Sequence, residues 1–255
     1  MTALLSAESL TMRFGGLTAV DAVSLDVRKG EVTSLIGPNG AGKTTLFNCL
    51  SGVYLPTSGK IRFRGEDITP LPDHAVTGRG LARTFQNIRL FGGMTVLENV
   101  LVGGHVRTSS GVLGALFGGE GTRREERELT EKARELLAFA GLEARAGDPA
   151  RGLSYGEQRR LEIARALASG PSLLLLDEPA AGLNPREGAD LVGLIRRILG
   201  RGVTVCLIEH HMAVVMEISD RIVVLDHGVR IAEGTPEAVR KDPAVIEAYL
   251  GKTGT

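Results

Sequence analysis

The chain has 255 residues, enough for one large domain or two small ones, and 43% of them are hydrophobic, which excludes a disordered chain. Its 30 Lys and Arg residues balance 30 Asp and Glu residues, so no overall basic charge argues for a nucleic-acid partner. There is no Trp, and only three Tyr and seven Phe, which disfavours a surface on which single-stranded bases stack.

Cysteine usage and hydropathy indicate where the chain works. Cys49 and Cys206 stand alone in apolar stretches without zinc-binding spacing, which favours buried free thiols in a reducing compartment over a disulfide. No apolar run reaches the roughly 20 residues that span a membrane. The stretch "MTALLSAESL" lacks the basic and apolar regions of a signal peptide. We therefore expect a cytosolic chain, which needs other chains for any membrane process.

The first part of the chain alternates β-rich stretches with turns. A strand should end at Gly37 and a helix near Gly52, because an apolar stretch stops at each glycine. The elements predicted here are strands in "LTMRF", "AVSLDV" and "EVTSLI", a helix in "KTTLFNCLSGV", a strand between turns in "PTSGKIRFRGEDI", and a short strand in "LARTFQ".

The middle of the chain is predicted to be helical. Thr95 and Glu98 have the spacing of a capping box, so a helix should start at Thr95 and stop near Gly103. Residues 103–122 are rich in Gly and Ser and are interpreted as a surface insertion. Apolar residues return at helical spacing in "RREERELTEKARELLAFAGL", and "EQRRLEIARALASG" predicts a helix after a polar turn, "LSYGEQ".

The last part of the chain again alternates apolar strands with helices. The predicted elements are strands in "SLLLLDEP" and "VTVCLI", a helix in "EGADLVGLIRRILGRG", a hairpin in "RIVVLDHGVRIAEG", and a terminal helix from Pro236 to Leu250. This alternation predicts an α/β fold with a mainly parallel sheet covered by helices on both faces. We interpret residues 1–255 as one domain, with a core of residues 1–94 and 171–255 and a helical subdomain at residues 95–170.

The stretch "GPNGAGKTT" matches the phosphate-binding pattern G-x-x-x-x-G-K-[ST] and lies between a predicted strand and a predicted helix. Glycines allow the backbone to wrap closely around phosphate oxygens at a helix N-terminus. Lys43 would reach the β- and γ-phosphates, and Thr44 would offer its hydroxyl to Mg²⁺. A glycine-rich turn without a ligand is the alternative, which the strand–loop–helix context disfavours. The predicted binding residues are Gly37, Pro38, Asn39, Gly40, Ala41, Gly42, Lys43, Thr44 and Thr45.

Two acids follow the apolar strand in "LLLLDEP". The end of a parallel strand places Asp177 at the carboxyl edge of the sheet, where α/β proteins bind ligands. Asp177 would hold Mg²⁺, mainly through water, and Glu178 could polarise an attacking water. For the motif alone, a solvated turn after a core strand is an equally good interpretation. The presence of a phosphate-binding loop in the same chain disfavours that alternative.

Together, "GPNGAGKTT", the Gln of "TFQ", "LSYGEQ" and "LLLLDEP" occur in the order typical of ATP-binding cassette (ABC) ATPases, which the chain resembles over nearly its whole length. The stretches "MRFGGLTAV", "GLARTFQNIRLF", "LSYGEQRRLEIARAL", "DEPAAGLNP", "LIEHHM" and "AYLG" are most similar to the ATP-binding subunits of branched-chain amino acid importers. Related importers of urea or amides look similar. The resemblance implies a P-loop NTPase fold, with a RecA-like core, an N-terminal antiparallel β subdomain and an inserted helical subdomain.

The resemblance also implies ATP and Mg²⁺ as ligands and assigns roles to further residues. Gln86 would contact the metal or the attacking water, and His210 the γ-phosphate. His211 is the neighbouring candidate, at a place where this subfamily usually has Asp. Phe14 would stack on adenine, where the family often has Tyr, although a half-buried core aromatic is the alternative. His74, His105 and His227 are interpreted as surface or loop residues.

The signature "LSYGEQ" is implied to contact the ATP of a partner subunit. Its members are Leu153, Ser154, Tyr155, Gly156, Glu157 and Gln158. Ser154 and Gly156 keep the family pattern, whereas Glu157 stands where Gln is usual and Tyr155 where Gly is common. Asn184 stands where many cassettes carry Asp. Asn has no carboxylate, so this position does not offer an acid that could couple the two subunits of the dimer.

The resemblance implies an assembly at the cytoplasmic face of the cell membrane that powers uptake of branched-chain amino acids. Two ATP-binding subunits would sandwich two ATP molecules, as a homodimer in isolation or a heterodimer with a related cassette. Two permease subunits would receive the motion in a groove lined by residues 86–91, with Leu90 and Phe91 as apolar contacts. An extracytoplasmic substrate-binding protein would complete the importer, and no nucleic acid is expected.

Two other classes of function are weighed against this one. A soluble cassette ATPase acting on DNA or the ribosome usually carries coiled-coil, zinc or duplicated-cassette insertions, none of which is apparent in this sequence. A regulatory nucleotide binder without hydrolysis is disfavoured by Lys43, Asp177, Glu178 and His210. Co-purification with permeases or with nucleic acid, and a phosphate-release assay, distinguish these alternatives.

Overall fold

A computed structural model describes residues 3–105 and 120–250. Its strands are β1 (Ala3–Phe14), β2 (Leu17–Arg28), β3 (Val32–Ile36), β4 (Ser58–Phe63), β5 (Glu66–Asp67), β6 (Leu81–Arg83), β7 (Leu173–Asp177), β8 (Thr204–Ile208), β9 (Arg221–Asp226) and β10 (Val229–Gly234). Its α-helices are α1 (Lys43–Leu50), α2 (Asp73–Gly78), α3 (Val96–Gly104), α4 (Glu120–Phe139), α5 (Tyr155–Ala168), α6 (Pro185–Gly200), α7 (Met212–Ile218), α8 (Pro236–Arg240) and α9 (Pro243–Leu250). Short 3₁₀ helices cover Glu143–Arg145 and Ala150–Gly152.

The larger sheet has the strand order β10-β9-β3-β8-β7-β6, with every neighbouring pair parallel except β9 and β10. All residues of β3, β7 and β8 are buried, as expected for parallel strands covered on both faces. The mainly parallel sheet predicted from the sequence is confirmed. Because parallel strands share their direction, β3, β7 and β8 all end at the same edge of the sheet.

The smaller sheet is antiparallel, with the order β2-β1-β4-β5. Its apolar face packs on α1 and on one side of the larger sheet, in a cluster that includes Phe47, Phe63 and Leu175. This antiparallel sheet was implied by the family resemblance and is confirmed. Its position against α1 fixes one side of the loop that precedes that helix.

The other side of the larger sheet is covered by α6 and by the helices of the middle segment. Here α3 packs against α4 and α5, and one apolar cluster joins Leu137, Leu161 and Ile195 to Leu174. The capping box predicted at Thr95 and Glu98 is confirmed, with α3 starting one residue later. The subdomain boundaries at residues 95–170 stay a prediction.

Several boundaries differ from the sequence prediction. The helix α5 begins inside "LSYGEQ", which is its N-cap and first turn and not a polar turn before it. The predicted terminal helix is two helices, because Pro243 has no backbone N–H with which to continue α8. The strand in "LARTFQ" covers only β6. Of the predicted insertion, residues 106–119 lie outside the described residues, whereas residues 120–122 already belong to α4.

Both cysteines are buried free thiols, as predicted. Burial raises the pKa of Cys49 to about 11 and that of Cys206 to about 12, so neither is a reactive thiolate near neutral pH. In the part of the chain that the structure describes, no helix combines the length and the apolar character needed to cross a membrane.

Truncation of the core strand β7 should destabilise the fold. Leu174 is fully buried between β6 and β8, so Leu174→Ala should lower the free energy of unfolding by about 2–5 kcal/mol, through lost burial and a residual cavity. Urea unfolding measures this. The control Leu55→Ala removes a side chain that is 68% exposed and should change stability by less than about 0.5 kcal/mol. Equal effects of the two variants would contradict this account of the core.

Candidate functional site

The loop between β3 and α1 depends on two glycines for its path. Gly37 has a φ of 149°, and a Cβ there would lie 2.0 Å from the backbone oxygen of Leu225. Gly42, the N-cap of α1, has a φ of 94°, and a Cβ there would lie 2.3 Å from the backbone oxygen of Ala19. Since the obstructing atoms are backbone, only glycine fits at either position. The loop therefore runs close to β9 and β2 at the N-terminus of a helix, where an anion is favoured.

Lys43 is buried beneath this loop. Its ammonium donates hydrogen bonds to the carbonyl oxygens of Gly37 and Pro38, at 2.7 and 2.9 Å. Burial lowers the pKa of Lys43, and the charges of Glu178 and Asp177 oppose that change. An ammonium carries three N–H donors. The two loop carbonyls therefore leave one donor for a phosphate oxygen.

A cavity of about 510 Å³ lies beside the loop. Loop residues 39–45 line it together with Gln86 and Glu178, so the phosphate-binding motif and the second acid of "LLLLDEP" share one space. None of the signature residues 153–158 lines this cavity. The predicted site residues thus form two groups within one chain.

The turn between β9 and β10 docks on the loop and closes one side of the cavity. The N–H of Gly228 donates to the carbonyl of Ala41 at 3.2 Å, and the carbonyl of Gly228 accepts from the N–H of Asp21 at 2.8 Å. His227, next in the turn, has a φ of 44° and lines the cavity. Interpreted from the sequence as a surface or loop residue, it lies at the candidate site.

Asp177 forms a buried ion pair with Arg83. Its Oδ2 accepts from Nη2 of Arg83 at 2.8 Å, while Nη1 of Arg83 donates to Asn48 Oδ1 and Ser51 Oγ at 2.7 and 2.8 Å. Burial raises the pKa of Asp177, and the hydrogen bond and charge of Arg83 oppose that rise. The remaining oxygen, Oδ1, is buried and has no hydrogen-bond partner. It is the oxygen that remains available to a cation or its water.

Glu178 turns away from the core at the end of β7. Its backbone has a φ of 47°, which is uncommon for a residue other than glycine and costs about 1–3 kcal/mol, and its N–H donates to the carbonyl of Ile208 at 3.0 Å. Its carboxylate accepts from Gln86 Nε2 at 2.9 Å. The strained backbone thus aims this carboxylate at the cavity and at Gln86.

Glu209 is a buried carboxylate that the sequence did not single out. It is fully buried, and its Oε1 accepts from the N–H of Ala180 at 2.7 Å. Its Oε2 accepts from the N–H groups of His210 and His211, at 3.0 and 3.1 Å. One side chain therefore joins the segment after Glu178 to the segment after β8.

The structure separates the two adjacent histidines. His210 Nδ1 lies 3.7 Å from Glu178 Oε2. His211 lines a separate cavity of about 250 Å³ beside α6 and α7, with Asn184 among its walls. The structure thus places His210 beside Glu178 and His211 at another cavity, and the contact of His210 with the γ-phosphate stays a prediction.

The signature residues Ser154 and Glu157 form a second capping box. The Ser154 hydroxyl accepts from the N–H of Glu157 at 3.3 Å, and the Glu157 carboxylate accepts from the N–H of Ser154 at 2.8 Å. The backbone N–H of Ser154 lowers the pKa of Glu157, with smaller lowering by its hydroxyl and by Arg145 and Arg160. The Ser154 side chain is exposed, so its hydroxyl is accessible to an external group.

Tyr155 and Gly156 are held by neighbouring segments of the same chain. The Tyr155 hydroxyl accepts from Arg159 Nη2 at 3.0 Å, and its ring packs where a Cβ on Gly182 would lie 3.1 Å from it. Gly156 is buried, and a Cβ there would lie 2.6 Å from Glu187 Oε1. The carboxylate of Glu187 also accepts from the N–H of Asn184, which caps α6 in a third capping box. Tyr155, Glu157 and Asn184, three of the departures from the family pattern, thus each have a hydrogen-bond partner within this chain.

Phe14 and Tyr249 are two exposed aromatic residues. Phe14 is 43% exposed and packs edge-on against Tyr54, with ring centroids 5.5 Å apart; it is not among the residues that line the loop cavity. Burial raises the pKa of the Tyr249 phenol, and a hydrogen bond from the backbone of Gly37 partly offsets this. The stacking role of Phe14 stays a prediction, whereas the contact between Tyr249 and the loop was not foreseen.

The residues at the carboxyl edge of the larger sheet suit a magnesium ion that takes most of its ligands from water and phosphate. Within the described ranges, no group of three or more His, Cys, Asp or Glu side chains could hold a metal alone. Mg²⁺ is usually bound by one or two protein oxygens together with waters and substrate phosphates. The unpartnered Oδ1 of Asp177 and the exposed residue Thr44, which carries a hydroxyl, fit that pattern.

Two family models match the chain. The ABC transporter model matches residues 20–181, and the model of branched-chain amino acid ATP-binding cassette transporters matches residues 229–254. The chain is 52% identical to the high-affinity branched-chain amino acid transport ATP-binding protein BraF of Pseudomonas aeruginosa, over 98% of each chain. It is 49% identical to the corresponding protein LivG of Escherichia coli K12, again over 98% of each.

Solved structures match the fold over nearly its full length. The ADP conformation of MJ1267, an ATP-binding cassette of an ABC transporter, has a TM-score of 0.86 and 36% identity, covering 99% of this chain and 100% of that one. A dimeric post-hydrolysis state of the cassette MJ0796, bound to ADP and Pi, has a TM-score of 0.76 and 27% identity, covering 91% and 98%.

Removing one oxygen from Glu209 should destabilise the chain. Glu209→Gln keeps the side-chain shape but leaves at least one of the three backbone N–H groups facing an amide donor, which should lower the free energy of unfolding by about 1–3 kcal/mol. Urea unfolding measures the change. The control Glu135→Gln, on the exposed face of α4, should alter stability by less than about 0.5 kcal/mol. Unchanged stability of Glu209→Gln would show that the three hydrogen bonds to Glu209 do not stabilise the fold.

Proposed function

This chain belongs to the ABC transporter family as an ATP-binding cassette, and from that premise we propose that it hydrolyses ATP to power the import of branched-chain amino acids. Both the family resemblance and the fold that it implied are confirmed. The observation that carries the proposal is that Glu178 and Gln86, joined by a hydrogen bond, line the same cavity as Lys43 and Thr44. The solute class comes from the relatives BraF and LivG, whose names describe branched-chain amino acid transport.

The triphosphate of ATP is proposed to lie along residues 37–45. The backbone of the loop at the start of α1 and the ammonium of Lys43 would hold the β- and γ-phosphates. Mg²⁺, held by Thr44, Asp177 and Gln86 with the phosphates, would neutralise charge that develops on them. The Phe14 ring would stack on the adenine.

Glu178 is proposed to be the general base. Its carboxylate faces the cavity beside the loop and can accept a proton from a water that attacks the γ-phosphate. Gln86, 2.9 Å from the carboxylate, would orient that water, and His210, 3.7 Å away, would contact the γ-phosphate. The φ of 47° at Glu178 supports this role, because strained backbone is common where a catalytic side chain must be aimed.

A second ATP-binding subunit, identical or related, is proposed to complete each site. The signature lies outside the loop cavity, with Ser154 and the N-terminus of α5 exposed. The exposed hydroxyl of Ser154 and the positive end of α5 suit the γ-phosphate of an ATP held by the partner. Hydrolysis would remove that bridge and loosen the dimer.

Two permease subunits are proposed to dock at the cytoplasmic membrane face, beside the segment that follows Gln86. A cavity of about 290 Å³ between β6 and the helices α3 and α5 is lined by Phe91, Val102 and Arg165, and Phe91 is 47% exposed. Leu90 is partly buried against the core cluster, so Phe91 offers the larger apolar surface. An extracytoplasmic substrate-binding protein would act on the permeases and not on this chain.

The solute is tested through the partners. Tagged chain should co-purify with membrane permeases, and vesicles holding that complex with its binding protein should hydrolyse ATP faster when leucine is added than when urea is added. Stimulation by urea alone would assign the same ATPase to another solute, and recovery of nucleic acid in place of permeases would overturn the transport role.

Glu178→Gln should separate ATP binding from hydrolysis. The amide cannot take the proton, so turnover should fall about 10²–10⁴-fold, while ATP still binds and holds a dimer together. Phosphate release and size-exclusion chromatography with MgATP measure the two effects. Glu135→Gln on α4 is the matched control. Normal turnover in Glu178→Gln would remove Glu178 from the role of base.

Ser154→Arg should leave ATP binding by the separate chain nearly intact. The signature does not line the chain's own cavity, so the affinity of the monomer for a fluorescent ATP analogue should be unchanged, while the activity of the assembled dimer is lost. The control Ala138→Arg places the same charge on the exposed face of α4 and should keep activity. Strong loss of monomer binding in Ser154→Arg would contradict a site shared between subunits.

A further inference from the structure

The backbone of Phe85 and Gln86 is held by side chains of α5. Arg159 Nη1 donates to the carbonyl of Phe85 at 3.0 Å, and Nη2 donates to the carbonyl of Gln86 at 2.6 Å. Glu162 Oε1 accepts from the N–H of Phe85 at 3.4 Å. Among the described residues, the hydrogen bonds of these two backbone units run to Arg159 and Glu162, and neither unit continues a strand or helix.

The two side chains that hold this backbone are themselves fixed. Arg159 and Glu162 are both at least 97% buried, lie one helical turn apart and pair at 3.3 Å. The hydroxyl of Tyr155, a turn earlier on the same helix, accepts from Arg159 Nη2 at 3.0 Å. The guanidinium is therefore held between a carboxylate on one side and a phenol on the other.

The Gln86 side chain has little else to position it. The side chain is exposed at the edge of the cavity, and its amide donates a 2.9 Å hydrogen bond to Glu178. The position of the backbone sets how far the end of an exposed side chain can reach. The backbone anchor on α5 therefore places the Gln86 amide within reach of the Glu178 carboxylate.

From this we infer that Arg159, held by Glu162 and Tyr155, is a positioning residue that sets Gln86 against Glu178. The inference rests on the proposed function, since it concerns the water that Gln86 and Glu178 would orient. It also assigns a purpose to a buried ion pair of the signature helix, because such pairs seldom add stability over apolar residues of the same size.

The test replaces the pair and asks whether the effect depends on Gln86. Arg159→Met with Glu162→Met removes both charges together, which avoids leaving one buried and unpaired. The rate kcat of ATP hydrolysis should fall about ten- to hundredfold, as for an atom misplaced by about 1 Å, while KM for ATP changes less than about threefold because the loop at residues 37–45 is untouched. In a Gln86→Ala background the same pair of substitutions should lower kcat no further, since residues that act as a unit are not additive.

A second measurement follows the geometry without turnover. Hydrogen exchange of the nucleotide-free chain should become faster in the peptide that contains Phe85 and Gln86 and stay unchanged in β3, β7 and β8. Should the double variant fail to fold, Arg159→Lys keeps a charge beside Glu162 but loses the forked donor, and it should show a smaller loss with the same dependence on Gln86. The matched control Arg124→Met with Glu128→Met removes an exposed pair on α4 and should leave kcat unchanged.

Equal fold-losses in the wild-type and Gln86→Ala backgrounds would overturn the positioning role, as would faster exchange throughout the chain. These outcomes differ from failure of the proposed function, in which the unsubstituted chain itself releases no phosphate from ATP.

Discussion

The candidate site depends on one constraint, which is that the fully buried parallel strands β3, β7 and β8 end at a common edge of the sheet. The loop that starts at Gly37, the acids at the end of β7 and the segment that starts at Glu209 are far apart in sequence and become neighbours only there. The backbone contacts at Gly37 and Gly42 hold the loop against β9 and β2, and Glu209 ties the other two segments together. The sheet edge brings the segments together, and these contacts fix their relative positions.

Buried charges mark the places where position matters. Arg83 pairs with Asp177 and also reaches α1 through Asn48 and Ser51, so the strand end and the helix after the loop are linked. Arg159 pairs with Glu162 and reaches the backbone of the Gln86 segment. Desolvation makes such pairs a poor source of stability. They instead fix positions, since Nη1 of Arg83 and both Nη atoms of Arg159 donate to segments next to site residues.

The fold was predictable because its signals are local: apolar strands alternate with helical periods, and glycines end both. The candidate site was predictable through motifs, which name residues but not their contacts. Ser154 and Glu157 have the same spacing in the sequence as Thr95 and Glu98, and both pairs form capping boxes. The first pair was not predicted because the stretch that contains it was interpreted as a turn. Arg83, Glu209 and His227 carried no local signal, because their partners lie far away in sequence and meet them only after the sheet has formed.

The helix α5 relates the two groups of site residues. Its N-terminus presents Ser154 and Tyr155 to the outside, and its next turn carries Arg159, which holds the backbone of Gln86. Because a helix moves as one body over two turns, a displacement of its N-terminus would also shift Arg159, which is hydrogen-bonded to the carbonyl of Gln86. If the N-terminus of α5 binds the ATP of a partner, Tyr155 and Arg159 connect that contact to Gln86. Tyr155 is hydrogen-bonded to Arg159, which in turn holds the backbone of the residue that donates to Glu178. The same helix would then report the state of one ATP site to the catalytic residues of the other.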